Sequence, residues 1–345
     1  MVTLVMVGVA LLAGAGSAGA QMSVGLPAPE VRQAAPAVDA LWALGADQYN
    51  PSTNVLGVCQ NPTLSASISG CFGAYSSVVS AGSPYPPVTD GTNVYFGAGA
   101  GNSCPVVDYG RNCTQVQIGV PARYGTPNAF TPTSVAAGGG YLWLGGAWGA
   151  SGASGGTVVY RCPADLPYTA ATSMPPECVQ VYASDGLGPV VAANGTVYIG
   201  AMSNSTGAWV IVTCQYDATS CGVLNSFGRN ARWTVRALAA GGGYLWAGLQ
   251  SGQIYRCSPA VLNDCQLWDT AGQPIVSLAD DGQGTLWAAA NGGGTFTHSS
   301  DVVWSCPEAT ANACKTIISN VFPWQVTAGG GQGFSSVNNG SAYPP

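Results

Sequence analysis

The stretch AAGGGYLWAG, residues 239–248, shows the unit from which the whole chain is built. A run of glycines, suited to a tight turn, leads into a short apolar strand that carries an aromatic residue. Related stretches recur every 41 to 55 residues, with the aromatic at the same place in each: Trp42, Tyr95, Trp143, Tyr198, Trp246, Trp287 and Phe334. A repeat of this length predicts a propeller or another array of small sheets.

One complete unit, residues 233–269, breaks into four short strands: TVRALAA, YLWAGL, QIYRC and CQLWD. Each is rich in β-branched and aromatic residues and is bounded by Gly, Ser, Pro, Asn or Asp, as in antiparallel meanders. A small twisted sheet cannot bury both faces alone, so it packs face to face with its neighbours. We therefore predict an all-β chain that forms a six-bladed β-propeller of four-stranded antiparallel blades. The repeated aromatic residue would fill the space between adjacent blades.

The cysteines follow the same period. The chain has 12 cysteines, and they fall into six couples that are close in sequence: Cys59 with Cys71, Cys104 with Cys113, Cys162 with Cys178, Cys214 with Cys221, Cys257 with Cys265, and Cys306 with Cys314. Each couple would join the third strand of a blade to the fourth by a local disulfide. Zinc is the competing interpretation, but the spacings are irregular and the chain has 1 histidine.

The number of blades depends on the C-terminal repeat, QVTAGGGQGF at residues 325–334, which has no third or fourth strand after it. In the six-bladed arrangement, residues 326–330 supply the inner strand of the blade that contains Trp42. This pairing would join the two ends of the chain and remove an open sheet edge. The alternative is a seventh blade of which the chain contains only the first strands.

The N-terminus combines an apolar run with the small residues Ala18, Gly19 and Ala20, which form an A-x-A cleavage site. We predict a signal peptide over residues 1–20 and a single propeller domain over residues 21–345. A buried strand or a short membrane anchor is the alternative for this segment. Because a framework of disulfides requires an oxidising compartment, we predict a secreted, extracellular chain with no membrane span.

Charge is scarce, at 7% of residues against about 25% in an average domain. The apolar content of 47% and the 10 tryptophans are nevertheless enough for a buried core. The net charge is −6, and the 9 basic residues are scattered. This pattern argues against nucleic acid and against an electrostatic membrane-surface binder, because both need clustered Lys and Arg. Four sequons predict glycosylation on a surface otherwise poor in charge: Asn112, Asn194, Asn204 and Asn339. Of these, Asn204 is the best placed.

Catalytic chemistry has few candidate residues. His298 is the only histidine, which argues against His-based triads, and every cysteine is assigned to a disulfide. The acids fall mostly at turn positions, which turn geometry explains without catalysis: Asp90, Asp165, Asp185, Asp217, Asp264, Asp280, Asp281 and Glu308. Asp280 and Asp281 could supply oxygen ligands to calcium. We nevertheless assign no metal, cofactor or catalytic residue.

Two resemblances accompany the repeat. The segment LADDGQGTLWAAANGG, residues 278–293, is similar to the D-x-x-G-x-L-W-x-G-T-x-x-G-L pattern of two-component-regulator sensor propellers, and the doubled glycines resemble kelch repeats. Both resemblances imply a propeller architecture. SLADDGQGTLW also approaches the sialidase Asp-box, but the spacing fails. No motif selects an arginine triad for such an enzyme from the eight arginines: Arg32, Arg111, Arg123, Arg161, Arg229, Arg232, Arg236 and Arg256.

These observations favour a binding protein over an enzyme. We predict a monomeric, secreted propeller that binds an extracellular glycan or glycoprotein of a cell wall or matrix. Its binding face would be built from the longest irregular connections, residues 120–131, 146–156 and 163–176. One alternative is a glycoside hydrolase or polysaccharide lyase that uses acids and arginines converging at the channel mouth. A purely structural matrix module is the other.

Overall fold

The computed structural model is all-β, and its sheets are antiparallel and follow one another along the chain. It describes residues 40–46, 54–60, 71–76, 88–90, 92–96, 99–105, 112–120, 129–148, 157–167, 173–217, 221–281, 284–291, 302–319, 322–329 and 332–338. The chain divides into two compact units, Met1–Ala34 and Ala35–Pro345, and all described residues belong to the second. The predicted signal peptide lies outside the described residues.

Five sheets have four strands each, in sequence order, as the repeat predicts. Sheet B contains β4 (Val88–Thr89), β5 (Asn93–Phe96), β6 (Gly99–Pro105) and β7 (Thr114–Ile118). Sheet C contains β8 (Phe130–Gly138), β9 (Tyr141–Trp148), β10 (Thr157–Pro163) and β11 (Val179–Ser184). Sheet D contains β12 (Gly186–Ala193), β13 (Thr196–Met202), β14 (Trp209–Gln215) and β15 (Cys221–Gly228).

Sheet E contains β16 (Val235–Gly241), β17 (Tyr244–Leu249), β18 (Gln253–Cys257) and β19 (Cys265–Thr270). These strands agree within one residue with those predicted for residues 233–269. Sheet F contains β20 (Ile275–Asp280), β21 (Thr285–Ala290), β22 (Val302–Pro307) and β23 (Lys315–Ser319). Among the described residues there is no α-helix, and the one 3-10 turn, Ala231–Trp233, connects sheet D to sheet E. No helix in the described part has the length and apolar character needed to cross a membrane.

Two shorter sheets lie at the ends of this series and are described by their backbone. Sheet A contains β1 (Ala40–Ala46), β2 (Asn54–Gln60) and β3 (Cys71–Ser76), and sheet G contains β24 (Phe322–Gly329) and β25 (Gln332–Asn338). The predicted pairing of residues 326–330 with the strand of Trp42 is not found among the described strands. Instead β24 pairs with β25, and β1 lies at the edge of sheet A. β24 and β25 follow each other directly in sequence, so they can pair as a hairpin. Their pairing places Thr327 opposite Phe334, just as the pairing of β16 with β17 places Ala239 opposite Trp246.

The repeated aromatic residues pack each sheet onto the next. Trp143 of sheet C is fully buried among Val190, Val197 and Ile199 of sheet D. Trp246 of sheet E is buried in the same way against sheet F, Tyr95 of sheet B against sheet C, and Tyr198 of sheet D against sheet E. Trp287 is only partly buried by the described residues. Trp42 lies in sheet A and Phe334 in sheet G, whose side chains are not described.

Five of the six cysteine couples form disulfides in the described residues: Cys104–Cys113, Cys162–Cys178, Cys214–Cys221, Cys257–Cys265 and Cys306–Cys314. Each joins the third strand of its sheet to the start of the fourth. The side chains of Cys59 and Cys71 are not described, but their backbones lie opposite each other across β2 and β3.

The disulfide loops also dock onto the neighbouring sheet. The N–H of Asn263 donates to the carbonyl of Leu224 on β15 at 2.8 Å, and the N–H of Asn312 donates to the carbonyl of Trp268 on β19 at 2.9 Å. Both asparagines have positive φ, 58° and 55°, a conformation that Asn tolerates better than most residues. β15 and β19 are the outermost strands of their sheets. The loops therefore cover sheet edges that would otherwise be open.

We expect Trp246→Ala to lower the free energy of unfolding by about 3 to 5 kcal/mol, because it removes a large buried ring between two sheets. Trp246→Phe, which keeps an apolar ring there, should cost clearly less. Urea unfolding followed by far-UV circular dichroism measures both values. If the alanine variant lost less than about 1 kcal/mol, the aromatic repeat would not be what holds the sheets together.

Candidate functional site

The interface between sheets C and D and the interface between sheets E and F contain the same arginine contact. In sheet C, Arg161 stacks over Tyr141 at 4.7 Å, and its guanidinium donates to the carbonyl of Tyr216 in sheet D at 2.9 Å. In sheet E, Arg256 stacks over Tyr244 at 4.5 Å and donates to the carbonyl of Glu308 in sheet F at 3.1 Å. Both arginines belong to a Tyr-Arg-Cys tripeptide on the third strand. The same arginine contact thus joins sheet C to sheet D and sheet E to sheet F.

The glycine turn makes room for this contact. A Cβ built on Gly138 or Gly139 would lie 2.3 Å from the ring or hydroxyl of Tyr216. In sheet E, a Cβ on Gly241 would lie 2.3 Å from the carboxylate of Asp280, and one on Gly242 would lie 2.3 Å from that of Glu308. Glycine therefore allows the close approach at all four positions, and at Gly139 and Gly242 it also allows the positive φ of the turn, 64° and 56°.

The interface between sheets E and F contains three carboxylates, at positions that carry no charge between sheets C and D. Asp280 pairs with Leu286, the residue before Trp287. Ala192 in sheet D occupies the equivalent position, because it pairs with Val197, the residue before Tyr198. Asp281 follows Asp280 as Ala193 follows Ala192. Glu308 and Tyr216 each lie two residues after a disulfide cysteine, Cys306 and Cys214. Comparison of the repeats therefore shows that packing of the sheets does not itself require the acids.

The three acids meet in a small space. One carboxylate oxygen of each of Asp280, Asp281 and Glu308 lies within 4.8 Å of the others. Asp281 is 7% exposed and Glu308 is 8% exposed, so both carboxyl groups are largely removed from water. Acids this deeply buried must share a proton, pair with a cation or accept strong hydrogen bonds.

Hydrogen bonds hold two of these carboxylates in place. The indole N–H of Trp246 donates to Oδ2 of Asp280 at 3.1 Å, and the backbone N–H of Thr285 donates to Oδ1 of Asp281 at 3.0 Å. The corresponding indole N–H of Trp143 in sheet C is buried and finds no hydrogen-bond partner. Asp280 therefore supplies a partner that the interface between sheets C and D lacks.

Glu308 is the proton-binding member of the cluster. Burial raises the pKa of Glu308 from its usual value of about 4.5 to about 7, and a hydrogen bond with Asp280 and the charges of Asp280 and Asp281 add to the increase. The positive charge of Arg256 opposes it. Protonated Glu308 can donate its proton to Asp280, so two neighbouring carboxyl groups carry one negative charge between them.

The cluster differs from what the sequence predicts. Sequence reasoning joins Asp280 to Asp281 as a possible calcium pair, and it treats Glu308 as a turn residue. The structure adds Glu308 to that pair. Three carboxylates can also bridge a cation, but here Arg256, the shared proton and the two N–H donors already offset much of their charge. The signal that could have revealed Glu308 was its alignment with Tyr216, both two residues after a cysteine.

The other acids at turns remain separate from this cluster. Asp90 organises its own turn: its Oδ1 accepts from the backbone N–H of Thr92 and Asn93, each at 2.8 Å, and its Oδ2 accepts from the hydroxyl of Tyr95. Asp165, Asp217 and Asp264 lie in the loops between paired cysteines. His298 lies outside the described residues.

Three of the predicted glycosylation sites lie in the described part of the chain, and all are exposed: Asn112, Asn194 and Asn204. Asn204 occupies a turn in which its Oδ1 accepts from the backbone N–H of Asp185 at 2.7 Å. Asn339 lies outside the described residues.

Comparison with solved structures shows the fold class. A chain from the crystal structure of a nidogen/laminin complex superposes with a TM-score of 0.53 at 11% identity, over 83% of this chain and 97% of that one. A structure of prolyl endopeptidases gives a TM-score of 0.50 at 11% identity, over 81% of this chain and 40% of that one. A chain of the mitotic checkpoint complex gives a TM-score of 0.48 at 13% identity, over 90% and 93%.

The nidogen/laminin and prolyl endopeptidase structures are β-propeller-like, and at such low identity they show the architecture alone. No protein-family model matches the sequence, and no curated protein sequence matches it significantly. The chain is therefore an all-β protein of propeller-like sheets, similar in fold to proteins of quite different kinds.

We expect the wild-type protein to lose stability between about pH 5 and about pH 8, because unfolded glutamate releases its proton near 4.5 whereas folded Glu308 keeps it up to about 7. The raised folded pKa gives a stabilisation that is complete below 4.5 and is lost as the pH rises through 7. Glu308→Gln keeps a hydrogen-bond donor but cannot ionise. Its Tm should exceed that of the wild type by a few degrees at about pH 8 and should differ little at about pH 5.

Glu177→Gln is the matched control, because Glu177 is an exposed acid between paired cysteines of sheet C. It should change the Tm equally little at both pH values. If Glu308→Gln shifted the Tm by the same amount at both, the cluster would not hold a proton on Glu308.

Proposed function

We propose that this chain is a secreted β-propeller, stapled by disulfides, that recognises an extracellular glycan or glycoprotein. The five described disulfides support an oxidising compartment, because such bonds persist outside the cytosol. Glycosylation at the exposed residues Asn112, Asn194 and Asn204 belongs to the same proposal. The similarity to a chain of the nidogen/laminin complex concerns the fold alone, so the support for the proposed function comes from the sheets of this chain.

The observation that carries the proposal is an aromatic group at one end of sheet C. Phe130, Trp148 and Tyr160 pack together, with ring centroids 5.1 to 6.1 Å apart. Phe130 is buried, whereas Trp148 and Tyr160 are partly exposed. The indole N–H of Trp148 donates to the hydroxyl of Tyr160 at 3.0 Å, which fixes both rings. Rigid rings with a polar edge are the surface that proteins commonly present to mixed polar and apolar ligands.

This aromatic group lies at the base of two of the three long connections. Phe130 lies at the end of the connection of residues 120–131, which is closed by reciprocal hydrogen bonds between Val120 and Phe130 at 2.9 and 3.0 Å. Trp148, the last residue of β9, lies near the start of the connection of residues 146–156. A ligand held by variable loops above a rigid base is the arrangement that propellers and other scaffolds use for recognition.

The alternative function, a glycoside hydrolase or lyase, gains one observation. Asp280, Asp281 and Glu308 converge beside Arg256, and one of the acids has a pKa near 7, as a general acid would need. Two features disfavour it. The carboxyl groups of Asp281 and Glu308 are buried between sheets, and Arg256 is held between Tyr244 and Trp268, 4.5 and 3.9 Å from their ring centroids. We therefore assign the cluster to structure and favour binding.

The six-bladed arrangement is part of the proposal. Among the described strands, sheet A has three, and the first carries Trp42; the strand that precedes the aromatic in the complete sheets is not among them. β24 could supply that strand if it left β25 and paired with β1. The seven-bladed alternative keeps β24 with β25, as they are paired here.

A glycan array with the purified chain tests the proposed function directly. We expect binding to a limited set of glycans, and we expect Trp148→Ala to weaken it about tenfold because it removes a partly exposed ring of the binding surface. Trp304→Ala is the matched control: Trp304 is also a partly exposed tryptophan with one hydrogen bond, to Thr316, but lies on sheet F. Absence of any glycan or glycoprotein ligand would favour the purely structural matrix module.

Deleting every residue after Asn320 tests the blade count. In the six-bladed arrangement this deletion removes the closing strand and exposes two sheet edges, so we expect aggregation or a lower Tm. Deleting only residues 339–345 keeps β24 and β25 and serves as the control. Size-exclusion chromatography with light scattering measures the outcome. A monomeric deletion variant with an unchanged Tm would contradict the six-bladed arrangement.

A further inference from the structure

Three arginines lie close together in sequence where the chain passes from sheet D into sheet E. Arg229 and Arg232 lie on the connection from β15 to β16, and Arg236 lies on β16 itself. All three are exposed. They account for three of the 9 basic residues of a chain whose net charge is −6. The basic residues are therefore not evenly scattered along the chain. One short segment, residues 229–236, holds a third of them.

The backbone of this segment is held firmly. The 3-10 turn closes with hydrogen bonds from the N–H of Trp233 to the carbonyl of Asn230 at 3.0 Å and from that of Thr234 to Ala231 at 3.1 Å. The next turn of sheet E then binds it from the side: the N–H of Ser251 donates to the carbonyl of Arg232 at 2.9 Å. The arginines thus project from a fixed backbone, which lowers the entropy lost on binding.

Two of the arginine side chains are also oriented locally. The guanidinium of Arg232 lies 5.1 Å from the ring centroid of Trp233, a cation–π contact that restricts its rotamers. Arg236 lies at a β-bulge, where the pairing of β16 with β17 shifts between Val235 and Ala237. Bulges redirect a side chain out of the regular sheet. At the corresponding bulge sheet C has Thr133 and sheet F has Val276, so the charge is particular to sheet E.

The carboxylates lie at the opposite ends of the sheets. In an antiparallel sheet of four successive strands, the turns from first to second strand and from third to fourth share one end, and the other connections share the other. Asp280, Asp281 and Glu308 lie at the first end, together with the disulfide loops. The arginine segment lies at the second end, where the described acid in the neighbouring connection is Asp185. The positive charges are thereby separated from most of the described negative ones.

We propose that Arg229, Arg232 and Arg236 form a recognition surface for an anionic polysaccharide, one that carries carboxylate or sulfate groups. The inference rests on the proposed glycan-binding function and names its ligand class. Arginine suits both groups, because its planar guanidinium donates two parallel hydrogen bonds to such oxyanions. A polymer that repeats its charge can engage several arginines at once, which multiplies weak single contacts.

A polysaccharide fits the surface better than a nucleic acid does. Three arginines supply few of the phosphate contacts on which nucleic acid binding depends, and a net charge of −6 repels a dense polyanion at longer range. A chain of sugars with one charge per residue or fewer makes a smaller demand on positive charge. The exposed arginines on one short segment match that lower charge density.

The test is a binding assay on the full chain with four immobilised probes: polygalacturonate for carboxylate, κ-carrageenan for sulfate, neutral dextran and single-stranded DNA. We expect one or both acidic polysaccharides to bind, with an affinity that falls as salt increases. The triple variant Arg229→Gln, Arg232→Gln, Arg236→Gln should lose about tenfold or more. Each single variant should lose about two- to fivefold, whereas Lys315→Gln, an exposed basic residue on sheet F, should lose less than twofold.

The outcomes separate the two proposals. Should the triple variant fail to fold, the single variants against Lys315→Gln carry the test. Unchanged affinity for the acidic polysaccharides in the arginine variants would overturn the inference, as would equal binding to single-stranded DNA. If the chain bound only neutral glycans, the proposed function would stand and the arginine surface would fall. If it bound neither a glycan nor a glycoprotein, both would fall.

Discussion

The described four-stranded sheets depend on close stacking against one another, because so small a sheet cannot bury its apolar faces from water by itself. The aromatic residue of the second strand provides the buried area, as Trp143 and Trp246 show with full burial. The glycines of the preceding turn provide the clearance, since a Cβ on Gly138 or Gly241 would collide with the neighbouring sheet. The abundance of glycine in this chain is therefore partly a requirement of close approach between sheets.

The disulfides contribute to the same stacking in an indirect way. Each one closes the loop between third and fourth strands, and in sheets E and F that loop carries the asparagine whose N–H binds the outermost strand of the preceding sheet. A closed loop loses less entropy when it docks than an open one would. The disulfides thus stabilise their own sheets, and the loops that they close help to cover the edges of the preceding sheets.

Differences between repeats, more than the repeats themselves, indicate where function lies. Sheets C and E share an arginine contact to the next sheet, yet only sheet E presents its arginine to three carboxylates. Sheet C alone combines long connections with the Trp148–Tyr160 pair. The entry to sheet E carries the exposed arginines. The carboxylate cluster and the exposed arginines consequently occupy opposite ends of the sheets. The proposed ligand recognition belongs to the end that carries the arginines and the connections of residues 120–131 and 146–156.

The sequence by itself determined the strands and the local pairing, because hairpins and disulfides join residues that are close along the chain. It predicted the four strands of sheet E within one residue and the aromatic repeat, and the five described disulfides join the couples it paired. It did not predict that Glu308 meets Asp280, nor that Arg256 approaches Glu308 from another sheet. Asp280 and Glu308 lie 28 positions apart within sheet F, whereas Arg256 reaches Glu308 across 52 positions from sheet E, so these contacts depend both on the strand order of one sheet and on how two sheets stack. Only the tertiary structure could decide them, since burial and the proximity of other charges, and not residue type, set the protonation of a carboxyl group.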